Sequence, residues 1–223
     1  MKSNSNSTKR GFTLTEIMVV TTLLLLVSTS LATFMVEMTK GTFWVTKKAL
    51  ISKDVRTFTL RISKETLGAN TGYVYPDYQI TNRNERKDRR ASGETGDCLV
   101  LVHMDPYPNV DDPKHYKKVV IYYRQADSNG RGPVYRTERT FDPPKQIRVE
   151  DGFDHFEKFL STHFPSHSAT DSEVVLELSQ GLADGRLFHN FGNNSFVING
   201  EIIHGNKVEE VTNTYNLTIS PRG

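Results

Sequence analysis

Two hydrophobic patterns follow one another at the start of the chain. Between residues 12 and 35 the side chains are mostly apolar, and Glu16 is the one ionisable residue. A run of about 20 such residues is long enough to cross a bilayer as a helix. Between residues 39 and 67 apolar side chains recur at spacings of three, four and seven, with charged residues between them, which predicts one face of an amphipathic helix. This stripe consists of Trp44, Ile51, Val55, Phe58 and Ile62.

We expect both patterns to belong to a single helix over residues 12–67. The second part contains no proline and has Gly41 as its one glycine, so its backbone hydrogen bonds can continue without a break. Gly68 and Asn70 follow directly, and these residue types commonly end helices. The prediction is a membrane-spanning half continued by a half that packs on a globular domain.

After residue 97 the pattern becomes that of strands. The apolar run CLVLVHM at 98–104 predicts a buried strand, and residues 118–124 and 134–140 predict two strands joined by a turn-rich loop. The two adjacent prolines of FDPPKQ, residues 141–146, predict that the sheet is interrupted there. Residues 151–164 predict a short helix with Phe153, Phe156, Phe159 and Leu160 facing inward.

A second group of strands is predicted near the C-terminus. Segments 174–179 and 186–191 are followed by two short strands that Asn199-Gly200 joins, since this dipeptide strongly favours a hairpin turn. Asp184-Gly185 predicts another turn. The last strand, 211–219, places Val211, Tyr215, Leu217 and Ile219 on one face. The fold class is therefore α+β, with one long helix packed on an antiparallel sheet.

The overall charge excludes a strong preference for polyanions. The formal net charge is +2 and falls to −1 without Lys2, Lys9 and Arg10, so no large field of one sign is present. Cys98 is the single cysteine, which rules out an intrachain disulfide and a zinc site built from several thiolates. The domain must therefore rely on its apolar core.

A basic cluster lies in the loop 76–97, which has few aliphatic residues. Basic clusters are typical of nucleic-acid sites, but acidic residues alternate with the basic ones here and no aromatic residue lies among them. We expect a solvent-exposed, partly disordered loop, with contact to a protein partner as the alternative, and no nucleic-acid ligand. The basic residues are Arg83, Arg86, Lys87, Arg89 and Arg90.

No set of residues predicts catalysis or a cofactor. His163 and His167 have the spacing of a helical metal pair, but Pro165 lies between them and interrupts a regular turn; we expect them and His155 to be surface histidines. Asp105, Asp111 and Asp112 lack the alternation of a helix–loop–helix calcium site. The motifs of serine hydrolases, zinc proteases, phosphate loops and dinucleotide folds are missing. We expect no catalytic residue, no metal and no enzyme activity.

The N-terminal segment KRGFTLTEIMVV, residues 9–20, resembles the processing signal of type IV prepilins and type II secretion pseudopilins. Its glycine, phenylalanine, threonine, leucine and glutamate stand in the register of that signal. Thr15 departs from the family pattern, which usually has a β-branched or leucine aliphatic there. The resemblance implies that a prepilin peptidase cleaves after Gly11 and methylates Phe12, the new first residue. It also makes Glu16 the conserved glutamate, the fifth residue of the mature chain.

The resemblance assigns processing to Gly11 and Phe12 and assembly to Phe12 and Glu16. Cleavage creates an α-amine, which is cationic at neutral pH. In a membrane bundle this amine on one subunit would neutralise Glu16 on its neighbour, where the low dielectric strengthens the pair. The alternative is that Glu16 lies in the headgroup region of a plain membrane anchor. A carboxylate within an apolar helix is costly and usually has a partner.

Weaker similarities indicate the subclass. Asp54-Val55-Arg56 resembles the Asp-Leu-Arg often seen in J-type minor pseudopilins and related minor pilins, and the two strands carrying Tyr-Arg resemble the sheet of the J-type group. Thr33 stands where major pilins commonly have a helix-bending proline, and the C-terminal cysteine pair of many pilins is missing. A minor pseudopilin of a type II secretion system is therefore the expected function. The alternatives are a minor type IV pilin for adhesion, motility or DNA uptake, and a single-pass membrane-anchored binding or sensor domain.

The expected organisation has four parts. Residues 1–11 form a cytoplasmic leader that is removed, 12–38 the transmembrane and polymerisation helix, 39–69 its amphipathic continuation, and 70–223 an extracytoplasmic α+β domain. The basic residues before the apolar run favour a cytoplasmic N-terminus, which places the domain outside the inner membrane. Expected partners are other pilin-like subunits, the prepilin peptidase and inner-membrane lipid, with no cofactor.

Overall fold

The computed structural model describes residues 12–105, 115–146, 155–168, 170–206 and 209–222. The helices are α1 (Leu14–Gly68) and α2 (His155–His163). The strands are β1 (Thr71–Tyr75), β2 (Thr95–Gly96), β3 (Cys98–Met104), β4 (His115–Arg124), β5 (Arg131–Gln146), β6 (Glu173–Gly181), β7 (Phe188–Gly192), β8 (Ser195–Asn206) and β9 (Glu209–Ile219).

Helix α1 confirms the prediction of one helix over residues 12–67, within two residues at each end. The chain divides into two compact units between Thr46 and Lys47. The first unit contains the apolar part of α1 and the start of its amphipathic part, and the second contains α1 from Lys47 onward together with the sheet. The predicted limits of leader, membrane segment and domain stay predictions.

The described strands form one antiparallel sheet. Its strand order is β1-β3-β4-β5-β6-β8-β7-β2. The remaining strand, β9, also pairs with β8 and is not part of this order. The long apolar helix and the antiparallel sheet confirm the α+β class. The predicted strands at 98–104, 118–124, 134–140, 174–179 and 211–219 are all present; the short strand β1, which follows the helix directly, was not predicted.

Both faces of the sheet are buried. Leu99 and Leu101 of β3 lie in a core with α1, whereas Val100 and Val102 lie in a second core with α2. Successive side chains of a strand point to opposite faces, so a strand covered on both sides needs apolar residues at every position. This explains the uninterrupted run CLVLVHM.

Helix α1 packs on its face of the sheet through the predicted stripe. Ile51, Phe58 and Ile62 are buried and Val55 packs against them. The expectation for Trp44 is wrong, since its side chain is 41% exposed. Trp44 lies in the first unit, where none of the described residues is buried.

Helix α1 ends where predicted, but by a different mechanism. Gly68 is not in the left-handed region that usually ends a helix at glycine. Instead, Nδ1 of His103 on β3 bonds to the carbonyl of Gly68 at 2.8 Å, and the amide of Asn70 donates to the carbonyl of Val102 at 2.8 Å. The adjacent strand therefore satisfies the orphan groups at the helix end.

The loop 76–97 is ordered, in contrast to the prediction. It contains two short 3-10 helices, Ile80–Asn82 and Arg86–Asp88, as well as β2. Arg83 is fully buried and donates to the carbonyls of Tyr78 and Phe164. Arg89 pairs with the buried Glu157 of α2. These two basic side chains therefore fix the loop to the domain, because a buried acceptor compensates for the loss of hydration.

The prolines of FDPPKQ interrupt the pairing of β5 locally, as predicted, but they do not end the strand. β5 continues to Gln146, and its register with β4 shifts between Tyr116 and Lys118. On its other side, β5 pairs with β6 only as far as Arg136. Residues 141–144, which include both prolines, lie between the paired positions Thr140 and Lys145 and have no partner on β4 or β6 among the described residues. Their missing N–H groups therefore cost no ladder hydrogen bond.

The predicted turn at Asn199-Gly200 is also wrong, because both residues lie inside the continuous strand β8. A Cβ atom on Gly200 would come within 2.6 Å of the Tyr215 hydroxyl oxygen, so the glycine allows close packing. The turn before β8 is formed instead by Asn193 and Asn194, whose φ values are 50° and 57°. Asparagine adopts this left-handed conformation more readily than most residues.

Two smaller predictions agree with the structure. Asp184 and Gly185 form a turn with φ values of 53° and 75°. Helix α2 buries Phe156 and Leu160 in the second core, and Phe159 is partly buried there. The predicted inward position of Phe153 lies outside the described residues.

Candidate functional site

The candidate site lies at the start of α1. Gly11, the predicted cleavage residue, lies outside the described residues. Phe12 is the first residue described and is 82% exposed. Thr13 follows as the N-cap position, directly before the first helical residue, Leu14. An exposed segment of this kind leaves the backbone around Phe12 accessible.

Glu16 folds back on the first turn of its own helix. The backbone amide and the hydroxyl of Thr13 both donate to Oε2 of Glu16 at 2.8 Å. The amide of Glu16 donates to Oγ1 of Thr13 at 3.3 Å. These reciprocal bonds form a capping box, which satisfies two of the free donors at a helix start. The negative charge also lies near the positive end of the helix dipole.

Thr13 is the residue that the sequence interpretation missed. The spacing Thr-x-x-Glu before an apolar run is a recognised signature of a helix start, so the signal was present in residues 13–16. The capping box gives Glu16 a partner on its own chain. Both bonds go to Oε2, and Oε1 of Glu16 accepts none among the described residues, so the carboxylate retains an acceptor for a second group.

The apolar side chains of the helix that follows, as far as residue 38, are not packed against other described elements of the chain. The large apolar side chains between residues 12 and 38 are 54–82% exposed. Hydroxyl groups in this segment donate to the carbonyl four residues earlier, which removes them as free donors. These residues are Thr21, Thr22, Thr29, Ser30, Thr33, Thr39 and Thr42.

Such a surface is suited to lipid or to other apolar helices. In hydrocarbon every polar group must be satisfied within the protein, and the seven hydroxyl side chains just named meet this condition. Within the described part of the chain, α1 is the helix long and apolar enough to cross a membrane. The apolar segment indicates single-pass membrane anchoring.

The histidines and aspartates considered as metal ligands lie in separate places. Nδ1 of His163 bonds to the carbonyl of Phe159, whereas Nδ1 of His167 lies 2.6 Å from the hydroxyl oxygen of Tyr123. Asp105 pairs with Lys117, and Asp111 and Asp112 lie outside the described residues. Among the described residues, no three ligand-type side chains are grouped to hold a metal.

Cys98 is buried inside the second core. Burial raises the pKa of its thiol to about 12, and the nearby Arg83 opposes this shift. A thiol with this pKa is protonated at neutral pH, so its nucleophilicity is low.

The family described as "Prokaryotic N-terminal methylation motif" matches residues 6–32. The matched segment contains the predicted cleavage position, the capping box and most of the apolar helix. The match supports a precursor of the type IV pilin or pseudopilin kind, and it fits processing by a prepilin peptidase. Neither the curated proteins nor the solved structures gave a match to the chain.

Proposed function

We propose that this protein is a non-enzymatic, pilin-like subunit, and specifically a minor pseudopilin of a type II secretion system. The observation that carries the proposal is the methylation motif at residues 6–32, followed directly by an uncovered apolar helix. A prepilin peptidase would remove residues 1–11 and methylate Phe12. The packing of α1 on an antiparallel sheet is what a pilin-like fold requires.

The proposed location is the inner membrane, with a cytoplasmic N-terminus. Lys9 and Arg10 precede the apolar run, and basic residues favour the cytoplasmic side. The sheet domain would then lie outside the cytoplasm. Its partners would be other pilin-like subunits, the peptidase and membrane lipid, with no nucleic acid.

The proposed assembly contact joins the α-amine of Phe12 on one subunit to Glu16 on its neighbour. The capping box already holds the Glu16 carboxylate in one orientation through Thr13. A fixed carboxylate loses less side-chain entropy when it pairs with a second group. The pair would gain strength from the low dielectric of the membrane.

The N-terminal residue of the mature protein tests the proposal directly. The protein is purified from membranes, and its N-terminus is determined by mass spectrometry. We expect the mature chain to begin with methylated Phe12. An N-terminus at Met1, or cleavage elsewhere than after Gly11, would contradict the proposal.

Two substitutions at Glu16 separate charge from helix capping. Glu16→Ala removes both, whereas Glu16→Gln removes the charge and retains a side chain that can complete a capping box. We expect both variants to insert into the membrane and both to lose incorporation into assemblies, measured by crosslinking between neighbouring subunits. Normal assembly of Glu16→Gln would show that the pairing with the Phe12 amine is not required.

The minor type IV pilin is the second candidate. The methylation motif, the Asp54-Val55-Arg56 segment and the absence of proline at Thr33 are all compatible with it, whereas the two strands carrying Tyr-Arg favour the J-type pseudopilin. In the structure Asp54 pairs with His204 at 3.2 Å, and Arg56 is exposed. Deletion of the gene separates the two: loss of protein secretion supports the pseudopilin, and loss of adhesion, motility or DNA uptake supports the pilin.

A further inference from the structure

The domain carries a cleft of ≈ 650 Å³ that the proposed assembly function does not use. Its walls come from the loop after β1, from the end of β4, from the segment after α2 and from the turn before β7. The lining residues are Asp77, Tyr78, Gln79, Ile80, Thr81, Asp97, Arg124, Gln125, Ala126, Pro165, Ser166, His167 and Arg186. A volume in this range is typical of small-ligand sites.

The floor of the cleft is a buried ion pair. The side chains of Asp97 and Arg124 are each 1% exposed. Nε and Nη2 of Arg124 donate to the two carboxylate oxygens of Asp97 at 3.0 Å, and the amide of Leu187 donates to Oδ1 at 3.0 Å. Arg124 also donates to the carbonyls of Gly130 and Gly185. This pair is rigid, and its hydrogen-bonding groups are already used.

Arg186 differs from Arg124, because part of its guanidinium is free. Its Nη1 donates to Oδ2 of Asp97 at 2.8 Å and to the carbonyl of Pro76 at 3.4 Å. We find no partner among the described residues for Nε and Nη2, and the side chain is 42% exposed. Nε and Nη2 form the side of a guanidinium that binds a carboxylate through two parallel hydrogen bonds.

Arg186 shares its only carboxylate partner among the described residues with Arg124. Two guanidinium groups, of Arg124 and Arg186, share the single carboxylate of Asp97, which leaves one positive charge at the floor. Asp77 also lines the cleft, so its charge and that of Asp97 balance the two guanidinium groups over the lining as a whole. The two oxygens of Asp77 accept from the amide of Gln79 and from Nδ2 of Asn82 at 2.8 Å each, and neither accepts from Arg186. Asp97 fixes the orientation of Arg186, so little entropy is lost when a ligand binds.

Neutral groups complete the lining. Nδ1 of His167 is engaged by the Tyr123 hydroxyl, which leaves its Nε2 for other contacts. Ile80, Ala126 and Pro165 supply apolar surface. A few polar groups set among apolar ones are typical of a site that orients one polar end of its ligand.

We propose that this cleft binds a carboxylate group through Nε and Nη2 of Arg186. The carboxylate belongs either to a small organic acid or to a protein segment, as an acidic side chain or a C-terminus. The inference does not rest on the proposed pilin-like function.

The test uses the full chain in detergent micelles, with ¹⁵N-labelled arginine side chains observed by NMR. The probes are succinate, a blocked alanine pentapeptide with one central glutamate, and the same peptide with glutamine and a free C-terminus. A glutamine peptide blocked at both ends is the neutral control. We expect a saturable shift of the Arg186 Nε–H signal with at least one carboxylate probe below about 10 mM, and none with the neutral peptide. The probe that binds identifies the source of the carboxylate.

Variants connect the binding to this guanidinium. Arg186→Gln is expected to weaken binding at least tenfold, whereas Arg56→Gln, the same charge change on the exposed side of α1, leaves it unchanged. Arg186→Lys keeps the charge but loses the two-bond geometry, and it is expected to weaken binding as well. It serves as the decisive variant if Arg186→Gln does not fold. No saturable shift with any carboxylate, equal loss in Arg56→Gln, or native affinity in Arg186→Lys would overturn the proposal.

Discussion

The two parts of α1 are one continuous helix with opposite surroundings. Between residues 12 and 38 every large apolar side chain is more than half exposed, and the hydroxyl groups bond to their own backbone. Between residues 47 and 68, Ile51, Phe58 and Ile62 are buried against the sheet. Glu65 of the same segment bonds to Arg136 of β5 and to the hydroxyl of Tyr122 of β4.

This difference indicates where each part obtains its stability. The second part has its apolar partner within the chain, and most helix stability in proteins comes from such packing. The first part has the hydrophobicity of a membrane segment and no partner among the described residues. Its exposed apolar surface is suited to lipid or to another apolar helix. The following changes test this contrast, from the largest expected effect to the smallest.

The largest effect is expected for Phe58→Ala. Phe58 is 2% exposed and its ring contacts those of Tyr122 and Tyr215 edge-on, with centroids 6.0 and 5.8 Å away. Removing a buried aromatic ring should lower the free energy of unfolding by about 3–5 kcal/mol. The free energy of unfolding is measured by chemical denaturation of the full chain in micelles, with the near-UV circular dichroism of tyrosine as the signal. All nine tyrosines lie after residue 70, so this signal reports the domain.

Phe34→Ala is the matched control, since Phe34 is 60% exposed in the first part of α1. We expect a change within about 0.5 kcal/mol, as for other exposed positions. A large loss of domain stability in Phe34→Ala, or a small one in Phe58→Ala, would contradict the contrast between the two parts.

A moderate effect is expected for Glu65→Gln. Glu65 accepts hydrogen bonds from both Nε and Nη2 of Arg136. Although burial opposes the charge on Arg136, its bonds to Glu65 raise the pKa of the guanidinium. Loss of the negative charge should lower the free energy of unfolding by about 1–3 kcal/mol. The same denaturation measures it.

Glu37→Gln provides the comparison, because Glu37 is exposed on the first part of the same helix. Its substitution should leave the domain within about 0.5 kcal/mol of the native stability. Equal effects of the two substitutions would mean that the Glu65 pair with Arg136 contributes nothing specific.

The smallest effect is a pH dependence at the end of α1. Burial lowers the pKa of His103 below 6.5, although its bond to the carbonyl of Gly68 opposes this shift. With Nδ1–H donating to that carbonyl, Nε2 is buried without a partner among the described residues, so a second proton would have no acceptor. Protonation therefore favours the unfolded chain.

The sign follows from this lowered pKa. The contribution of His103 to stability is complete above pH 6.5 and is lost as the pH falls through the folded-state pKa. Because the ring is only half-buried, we expect a loss of less than about 1 kcal/mol. The slope of the melting temperature against pH, recorded by thermal melting between pH 7 and 5, measures this loss. His103→Gln should reduce the slope and His189→Gln should not; an unchanged slope in His103→Gln would assign the dependence to other groups.

The sequence predicted best where one local pattern was sufficient. The continuous apolar and amphipathic periodicity located α1 within two residues, and CLVLVHM located β3 at its observed limits. It failed at Asn199-Gly200, where a strong turn signal lies inside β8. There the contact of Gly200 with Tyr215, distant in sequence, outweighs the local turn preference.

The candidate site divides in the same way. The segment around Gly11, Phe12 and Glu16 was identified from adjacent residues, and the capping partner Thr13 was readable in the same segment. The cleft around Arg186 was not identified from the sequence, because Asp97, Arg124 and Arg186 come from three separate parts of the chain. Nothing in their local sequence indicates that they meet.

The sequence by itself therefore determined the helix, its membrane-length apolar half and the processing motif, since each depends on the order and spacing of neighbouring residues. The tertiary structure decided which strands pair, how β5 accommodates its prolines, which basic residues of the loop 76–97 are buried and which charges share the cleft. These features depend on contacts between residues far apart in the chain. Their energies come from burial and hydrogen bonding that exist only after the sheet has formed.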